Sequence, residues 1–214
     1  MPAITALVLC GGQGRRMGGM DKGLQAFRGV PLALNALRRL QRQSLPPAAF
    51  MLSANRHLDA YAALGAPFQA AVWPDEALPG FAGPLAGFMS GLLHARTPLL
   101  LTVPCDVPCF PLSLCERLAH ALRAQDAEIA TAATPGEDGG LHPQPVFSLM
   151  RRELHDSLAA FLQGGQRQAR AWMGGHRQAL VPFASPPGLP HAFANANTRA
   201  ELHALEAAAA GQAP

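Results

Sequence analysis

A short apolar run leads directly into the most glycine-dense stretch of the chain, and this junction constrains the fold more than any other feature. The run, Ile4 to Cys10, is partly β-branched and indicates a buried strand. Strand and helix patterns then alternate along the chain, which predicts a mostly parallel sheet with helices on both faces. In such α/β folds ligands bind at the carboxyl ends of the strands. The glycine-rich segment therefore follows the edge where a ligand is expected.

Hydrophobic periodicity and turn residues predict the remaining elements. Strands are expected at 50–52, 70–73, 98–105, 129–133, 146–149 and 180–183, with a glycine-rich loop at 136–140. Helices are expected at 32–40, 58–64, 85–95, 111–124 and 154–162, and after Thr198, which forms a capping-box pattern with Glu201. No internal repeat or long linker is present, so we expect an α/β fold with a single domain over 1–206 and a frayed tail over 207–214.

Composition and charge limit the class of protein. The chain has 214 residues, 49% of them hydrophobic, which is enough for one well-buried domain. No apolar run reaches the roughly 18 residues of a membrane span, and the N-terminus lacks a secretory signal. We therefore expect a cytoplasmic protein without a membrane partner. The net charge is +3, but the arginine pairs lie far apart and aromatics are only 6%, which favours a small polyanionic ligand over nucleic acid.

The cysteines and histidines show no metal-binding pattern. The four cysteines, at 10, 105, 109 and 115, have no C-x-x-C spacing. The eight histidines include no H-E-x-x-H motif and no close pair. We expect the cysteines to be buried free thiols, and we propose no histidine metal site.

Lys22 is the only lysine among 17 basic residues, and it lies in the glycine-rich segment together with Arg16. An ammonium is a compact point charge suited to phosphate, and glycines let backbone N–H groups approach such a ligand closely. The dinucleotide fingerprint fails because Met17 stands where a glycine is required. The P-loop pattern fails because Met20 and Asp21 stand where it requires lysine and a hydroxyl residue. The segment therefore predicts a different polyphosphate site, in which Arg16 and Lys22 supply the positive charge.

Asp106 is the candidate metal ligand. It follows the strongest predicted strand, 98–105, and Pro108 prevents the chain from continuing the strand ladder. A single carboxylate at that edge is typical of magnesium–phosphate sites, because Mg²⁺ takes its other ligands from water and substrate. The alternative is a cap for the helix expected from 111, for which Asp106 lies too far upstream. We therefore predict that Asp106 binds Mg²⁺.

The full spelling of the glycine-rich segment resembles one enzyme family. Residues 9–24, L-C-G-G-Q-G-R-R-M-G-G-M-D-K-G-L, are similar to the signature loop of molybdenum cofactor guanylyltransferases. Further segments match this family in order: S-A-N-R-H at 53–57, P-D at 74–75 with G-P-L-A-G at 83–87, P-C-D-V-P at 104–108, and F-A-N-A-N-T-R-A-E-L at 193–202. The chain departs from the family at Cys10, where alanine is usual, and at Ser53, where some members have asparagine.

The resemblance implies a Rossmann-like nucleotidyltransferase fold and a specific reaction. GMP is transferred from GTP to the terminal phosphate of molybdenum-bound molybdopterin, giving the guanine dinucleotide cofactor and pyrophosphate. The implied cofactor is Mg²⁺, for which Mn²⁺ can substitute. The implied partners are the two substrates and, transiently, proteins that insert molybdenum and mature molybdoenzymes. We expect a monomer that binds no nucleic acid.

The resemblance and the residue chemistry together assign the site. The nucleotide-binding residues are Leu9, Cys10, Gly11, Gly12, Lys22, Asn55, Asp75 and Asp106. The catalytic residues are Arg16, Lys22 and Asp106, which position the phosphates and neutralise charge on the departing pyrophosphate. No general base is required, because a phosphate monoester with a second pKa of about 6 is mostly dianionic at neutral pH. Whether Ser53 or Asn55 faces the nucleotide is left open, as are the roles of His142, Asn195 and Asn197.

Other functions remain as alternatives at this point. A cytidylyltransferase or a sugar-phosphate nucleotidyltransferase of the same fold would differ in the nucleotide that it uses. A regulator that binds GTP without catalysis would leave the acidic metal position unexplained. A nucleic-acid binder would show a steep dependence of binding on salt.

Overall fold

The computed structural model describes residues 2–10, 21–75, 83–136, 138–185, 192–196 and 198–210. Gly11, Gly12 and Arg16, which the sequence assigns to the site, lie outside these ranges. The strands are β1 (Ile4–Leu9), β2 (Ala26–Phe27), β3 (Val30–Pro31), β4 (Ala49–Ser53), β5 (Ala71–Trp73), β6 (Leu99–Pro104), β7 (Ile129–Pro135), β8 (Leu141–Arg151) and β9 (Gln178–Pro182). The helices are α1 (Leu32–Gln41), α2 (Leu58–Gly65), α3 (Pro84–His94), α4 (Leu114–Ala124), α5 (His155–Gln163), α6 (Ala169–Met173) and α7 (Arg199–Ala210).

Seven of these strands form one sheet in the order β5-β4-β1-β6-β8-β7-β9. Within the described sheet β8 runs antiparallel to both of its neighbours, and the other pairs are parallel. The predicted mostly parallel α/β sheet is therefore confirmed. At the centre, Leu9 at the end of β1 pairs with Ser53 of β4 and with Pro104 of β6. We call this meeting of three strand ends the carboxyl edge.

Helices cover both faces of the sheet, as predicted. One apolar cluster joins the sheet to α1, α2 and α4, and a second joins it to α3, α5 and α6. Along β1, Ala6 and Val8 pack in the first cluster, whereas Leu7 packs in the second. A strand that is apolar on both sides in this way must be central in the sheet.

The structure corrects several predicted elements. The helix expected from 111 begins at Leu114, because residues 111–113 form a turn closed by the N–H of Leu114 on the carbonyl of Pro111 at 3.2 Å. The strand expected at 146–149 extends from 141 to 151, since the expected loop is a tight turn in which Gly139 has a φ of +76°. The short helix α6 and the β2–β3 hairpin were not predicted.

The C-terminal helix begins as predicted. The Thr198 side chain accepts from the N–H of Glu201 at 3.1 Å, and the Glu201 carboxylate accepts from the N–H of Thr198 at 3.0 Å, which is a capping box. The helix continues through Ala210, past the boundary expected at 206, because alanine has the highest helix propensity. None of the described helices is both long and apolar enough to cross a membrane.

Helix α1 fixes the segment that follows the predicted magnesium ligand. Asn35 and Arg39 lie one turn apart on α1, and Gln43 lies just beyond the end of the helix; their side chains donate to backbone carbonyls of residues 108–111. The Gln43 side chain also accepts from the N–H of Cys115 at 3.0 Å. These bonds satisfy buried carbonyls that have no strand partner, so they hold the chain where it leaves the carboxyl edge.

Arg39→Met should therefore destabilise the protein. The substitution keeps an apolar stem but removes the donors to the carbonyls of Cys109 and Phe110. We expect a loss of about 2 kcal/mol in the free energy of unfolding, measured by urea denaturation. Arg38→Met, at the neighbouring exposed position, is the matched control and should cost far less. Equal losses in the two variants would contradict this account.

Candidate active site

The backbone of the carboxyl edge continues the sheet by one residue. The N–H of Cys10 donates to the carbonyl of Ser53 at 2.8 Å, and the N–H of Cys105 donates to the carbonyl of Leu9 at 3.1 Å. The Cys10 side chain is buried, and this burial raises the pKa of its thiol well above the ordinary value. The thiol is thus a neutral core group, and only the backbone of this position is available at the edge.

Lys22 and Asp106 are brought together at this edge. The ammonium Nζ of Lys22 lies 3.1 Å from Oδ2 of Asp106, although the two residues are 84 positions apart in the sequence. The side chains are 27% and 16% exposed, so both groups can reach a ligand. The alternative role for Asp106, as the cap of α4, is wrong: the N-cap residue is Ser113, and the N–H of Cys115 in the first turn of α4 donates to the side chain of Gln43.

The residues at this point suit a magnesium ion shared with a substrate. In the described part of the chain no three side chains of the histidine, cysteine, aspartate and glutamate types form a metal-binding group. Mg²⁺ commonly binds one or two carboxylates and completes its shell with water and phosphate oxygens. The single carboxylate of Asp106 fits that pattern, whereas a zinc site would require more protein ligands.

Asp75 is the centre of a second polar cluster. Its carboxylate accepts from Ser53 Oγ at 2.5 Å on one oxygen and from Asn55 Nδ2 at 2.7 Å on the other. Its backbone N–H in turn donates to Asn55 Oδ1 at 2.8 Å. Ser53 is 1% exposed and Asn55 is exposed, so Ser53 orients the carboxylate from below while Asn55 lies at the surface beside it.

The start of α3 packs closely against this cluster at Gly87. A Cβ built on Gly87 would lie 2.5 Å from Leu9 Cδ2, 3.3 Å from Ser53 Oγ and 3.5 Å from Asp75 Oδ1. The Ser90 hydroxyl, on the same helix, donates to the carbonyl immediately before Asp75 at 2.9 Å. A methyl group in place of the last glycine of the G-P-L-A-G segment would therefore require Leu9 or Ser53 to shift.

The turn that carries Lys22 has its own support. Oδ1 of Asp21 accepts from the N–H of Gly23 at 3.2 Å and caps the single helical turn Lys22–Leu24. The same oxygen accepts from the hydroxyl of Tyr61 on α2. Sequence reasoning missed Tyr61, which belongs to no motif. The available signal was that the chain has one tyrosine, at an apolar position of a predicted helix.

A distant segment also reaches the site. The N–H of Ala196 donates to the backbone carbonyl of Asp106 at 2.7 Å, so the predicted asparagine-containing segment lies beside the candidate metal ligand. Asn195 is exposed there, and Asn197 lies outside the described residues. His142 lies in β8 and pairs with the exposed Asp138, with 3.4 Å between the two side chains.

The expected buried thiols are largely present. Cys10, Cys105 and Cys115 are buried and free, and burial raises the pKa of Cys115 to about 12. Cys109 is only half-buried, which differs from the prediction.

Comparison with known proteins identifies the family. The family model for the MobA-like NTP transferase domain matches residues 6–181, which is most of the chain. The chain belongs to this family. It is therefore a nucleotidyltransferase, and the resemblance seen in the sequence motifs is confirmed.

Curated relatives of this transferase are named molybdenum cofactor guanylyltransferase. The chain is 54% identical over 207 residues to the protein of that name from Albidiferax ferrireducens, with 95% of each chain covered. It is also 54% identical to the enzyme of that name from Bordetella petrii, with 94% of this chain and 96% of the relative covered.

Solved structures share the fold of this transferase. Molybdopterin-guanine dinucleotide biosynthesis protein A from Archaeoglobus fulgidus is 19% identical, with a TM-score of 0.72 over 97% of this chain and 100% of that one. A 4-diphosphocytidyl-2C-methyl-D-erythritol synthase from Anaerococcus prevotii is 13% identical with the same TM-score, 0.72, over 96% and 97% of the two chains. The predicted nucleotidyltransferase fold is thereby confirmed.

Gly87→Ala should weaken nucleotide binding, because the added methyl group displaces Leu9 or the Ser53–Asp75 pair. We expect an increase of about tenfold in the Kd for MgGTP, measured by isothermal titration, which corresponds to the loss of one hydrogen bond to a charged group. Gly91→Ala is the matched control on the same helix. Its Cβ would lie 2.7 Å from Leu7 Cδ2 and 2.8 Å from Leu100 Cδ2, so it should lower the melting temperature without changing the Kd. Equal changes in Kd would refute a specific role for Gly87.

Proposed function

We propose that this transferase moves GMP from GTP to the terminal phosphate of molybdenum-bound molybdopterin, giving molybdopterin guanine dinucleotide cofactor and pyrophosphate. The observation that carries the proposal is the Lys22–Asp106 pair, 3.1 Å apart at the carboxyl edge. Of two such neighbouring groups, the carboxylate can bind the magnesium ion of a magnesium–triphosphate substrate and the ammonium can bind its phosphates. The names of relatives that are 54% identical over nearly the full chain support the choice of substrates.

Asp106 is the residue that would hold Mg²⁺. Its carboxylate is only partly exposed, and the turn that carries it is fixed by α1 and by the N–H of Ala196. A divalent ion bound there supplies positive charge to the phosphate oxygens of GTP. The fixed turn keeps the carboxylate in one orientation, so little rearrangement is needed when the substrate binds.

Lys22 is proposed to bind the phosphates that leave as pyrophosphate. Its ammonium is paired with Asp106, which holds it at the edge. Phosphate oxygens are strong acceptors for an ammonium, so the side chain can shift onto the triphosphate when that arrives. Arg16, which lies outside the described residues, stays the predicted second cation.

Asp75 is proposed to bind the nucleoside. Ser53 and Asn55 each donate to one of its oxygens, and each oxygen retains a further lone pair. An ionised carboxylate held by neutral donors can accept from ribose hydroxyls or from the N–H groups of guanine. The exposed Asn55 lies within reach of the same part of the nucleotide.

The proposed reaction requires no general base from the protein. The terminal phosphate of the acceptor is already dianionic at neutral pH, so it can attack the α-phosphorus of GTP directly. The P–O bond to pyrophosphate breaks as the new P–O bond forms. The work of the site is to align the two phosphates and to neutralise the departing charge.

Lys22→Ala and Asp106→Ala should each reduce turnover by at least about 100-fold, because each removes a charge that acts on the phosphates. Pyrophosphate release in the presence of MgGTP and molybdenum-bound molybdopterin measures the effect. The control is Asp59→Ala, an exposed carboxylate on α2, which should retain full activity. Near-normal turnover in a folded variant of Lys22 or Asp106 would remove that residue from the proposed machinery.

Nucleotide choice tests the reaction itself. With Mg²⁺ and molybdenum-bound molybdopterin, GTP should yield a guanine dinucleotide and an equal amount of pyrophosphate, detected by chromatography and by a coupled phosphate assay. CTP, ATP and UTP should give little product, and a chelator should stop the reaction with GTP. Preferential turnover of CTP would instead assign cytidylyl transfer.

A further inference from the structure

We infer that Tyr61 is a positioning residue, whose hydroxyl holds the Asp21 carboxylate and through it the turn that presents Lys22. This inference rests on the proposed role of Lys22 in binding the triphosphate. Tyr61 lies on α2, outside every motif of the site. It acts on the substrate through Asp21 and Lys22.

The Tyr61 hydroxyl is a buried polar group whose bond is well defined. The residue is 0% exposed, and such a hydroxyl requires a partner in the protein. It donates to Oδ1 of Asp21. Burial also raises the pKa of Tyr61 well above its ordinary value, so the hydroxyl keeps its proton and remains a donor at any physiological pH.

The Asp21 carboxylate links the Tyr61 hydroxyl to the backbone of the turn that carries Lys22. The oxygen that accepts from Tyr61 also accepts from the N–H of Gly23 at 3.2 Å. The turn is closed by the N–H of Leu24 on the carbonyl of Asp21 at 3.3 Å and by the N–H of Gln25 on the carbonyl of Lys22 at 3.1 Å. Lys22 is the first residue of this turn, so the direction of its side chain depends on the position and orientation of the turn.

The backbone of the turn packs directly against the ring of Tyr61, with no room for a side chain between them. A Cβ built on Gly23 would collide with the Tyr61 hydroxyl oxygen and lie 3.0 Å from two carbons of its ring. Gly23 is itself buried, so the backbone of the turn rests directly on the phenol. A glycine at this position is therefore what allows the hydroxyl to reach Asp21.

The same short segment supports both halves of the site. Ser53 and Asn55 hold Asp75, and Tyr61 follows them on the helix that begins at Leu58. The segment 53–61 therefore links the carboxylate assigned to the nucleoside with the lysine assigned to the phosphates. This link fixes the spacing between the two groups, and such spacing governs reactivity when positioning is the main contribution to catalysis.

Tyr61→Phe tests the inference because it removes one hydroxyl and leaves the ring in place. We expect the affinity for MgGTP, measured by isothermal titration, and kcat each to fall about tenfold, as expected when a charged group loses a supporting hydrogen bond. In a Lys22→Ala background the same substitution should have no further effect on MgGTP affinity, because the group that it positions is absent.

The matched control is Thr5→Val. Thr5 is also buried, and its hydroxyl is bonded to that of Thr97 at 2.7 Å, at the opposite end of β1. Both variants should lose a similar amount of thermal stability, but Thr5→Val should keep normal MgGTP affinity and kcat. Melting temperatures establish that the comparison is made between folded proteins.

The outcomes separate this inference from the proposed function. If Tyr61→Phe behaves like Thr5→Val, or if it weakens MgGTP binding equally with and without Lys22, the positioning role is refuted. If Lys22→Ala alone leaves binding and turnover unchanged, the proposed role of Lys22 fails, and with it the basis of this inference. Loss of function in Lys22→Ala with none in Tyr61→Phe refutes only the role of the tyrosine.

Discussion

The pairing of β1 with both β4 and β6 is the constraint on which the rest of the site depends. Because Leu9 is in register with Ser53 on one side and Pro104 on the other, three strands end at one level. The segment after β1 carries Lys22 and the segment after β6 carries Asp106, while Asp75 follows β5, whose Trp73 is in register with Ser53. These three charged residues are far apart in the sequence. A slip of one residue in either pairing would reverse the faces of a strand that is apolar on both sides and would separate these charges.

The two carboxylates of the edge are held in chemically different ways, and this difference suits different tasks. Asp75 is held by the neutral donors Ser53 and Asn55, which fix the orientation of its carboxylate. Asp106 is paired with the ammonium of Lys22, which carries the opposite charge. In the proposed reaction, a divalent metal ion would take the place of this ammonium beside the carboxylate, and the lysine would bind phosphate oxygens. The first arrangement suits recognition of N–H and O–H donors, and the second suits binding of a metal–triphosphate.

Much of this arrangement could be predicted from the sequence, because it is encoded locally. Apolar periodicity placed β1, β4 and β6, and motifs after each strand end placed Lys22 and Asp106 at a common edge. What could not be predicted depends on contacts between distant segments. The antiparallel direction of β8 follows from a tight turn, and α6 is too short to show a periodic pattern. The hydroxyl of Tyr61 has the proposed role only because the Asp21 carboxylate lies within hydrogen-bond distance of it. A buried tyrosine on an amphipathic helix has the same sequence pattern whether its hydroxyl supports a loop or not.

A reaction without proton transfer gives unusual weight to residues that never touch the substrate. When the acceptor phosphate is already dianionic, catalysis comes from alignment and charge placement, and these are properties of the scaffold. In this molecule the supporting elements are the two helices α1 and α2, which pack in the same apolar cluster against the sheet. Helix α1 holds the chain after Asp106 through Asn35 and Arg39, and α2 holds the turn of Lys22 through Tyr61. Because the turn of Lys22 is held from α2 and the chain after Asp106 is held from α1, the 3.1 Å separation between Lys22 and Asp106 depends on the positions of both helices as well as on the attraction between the two charges.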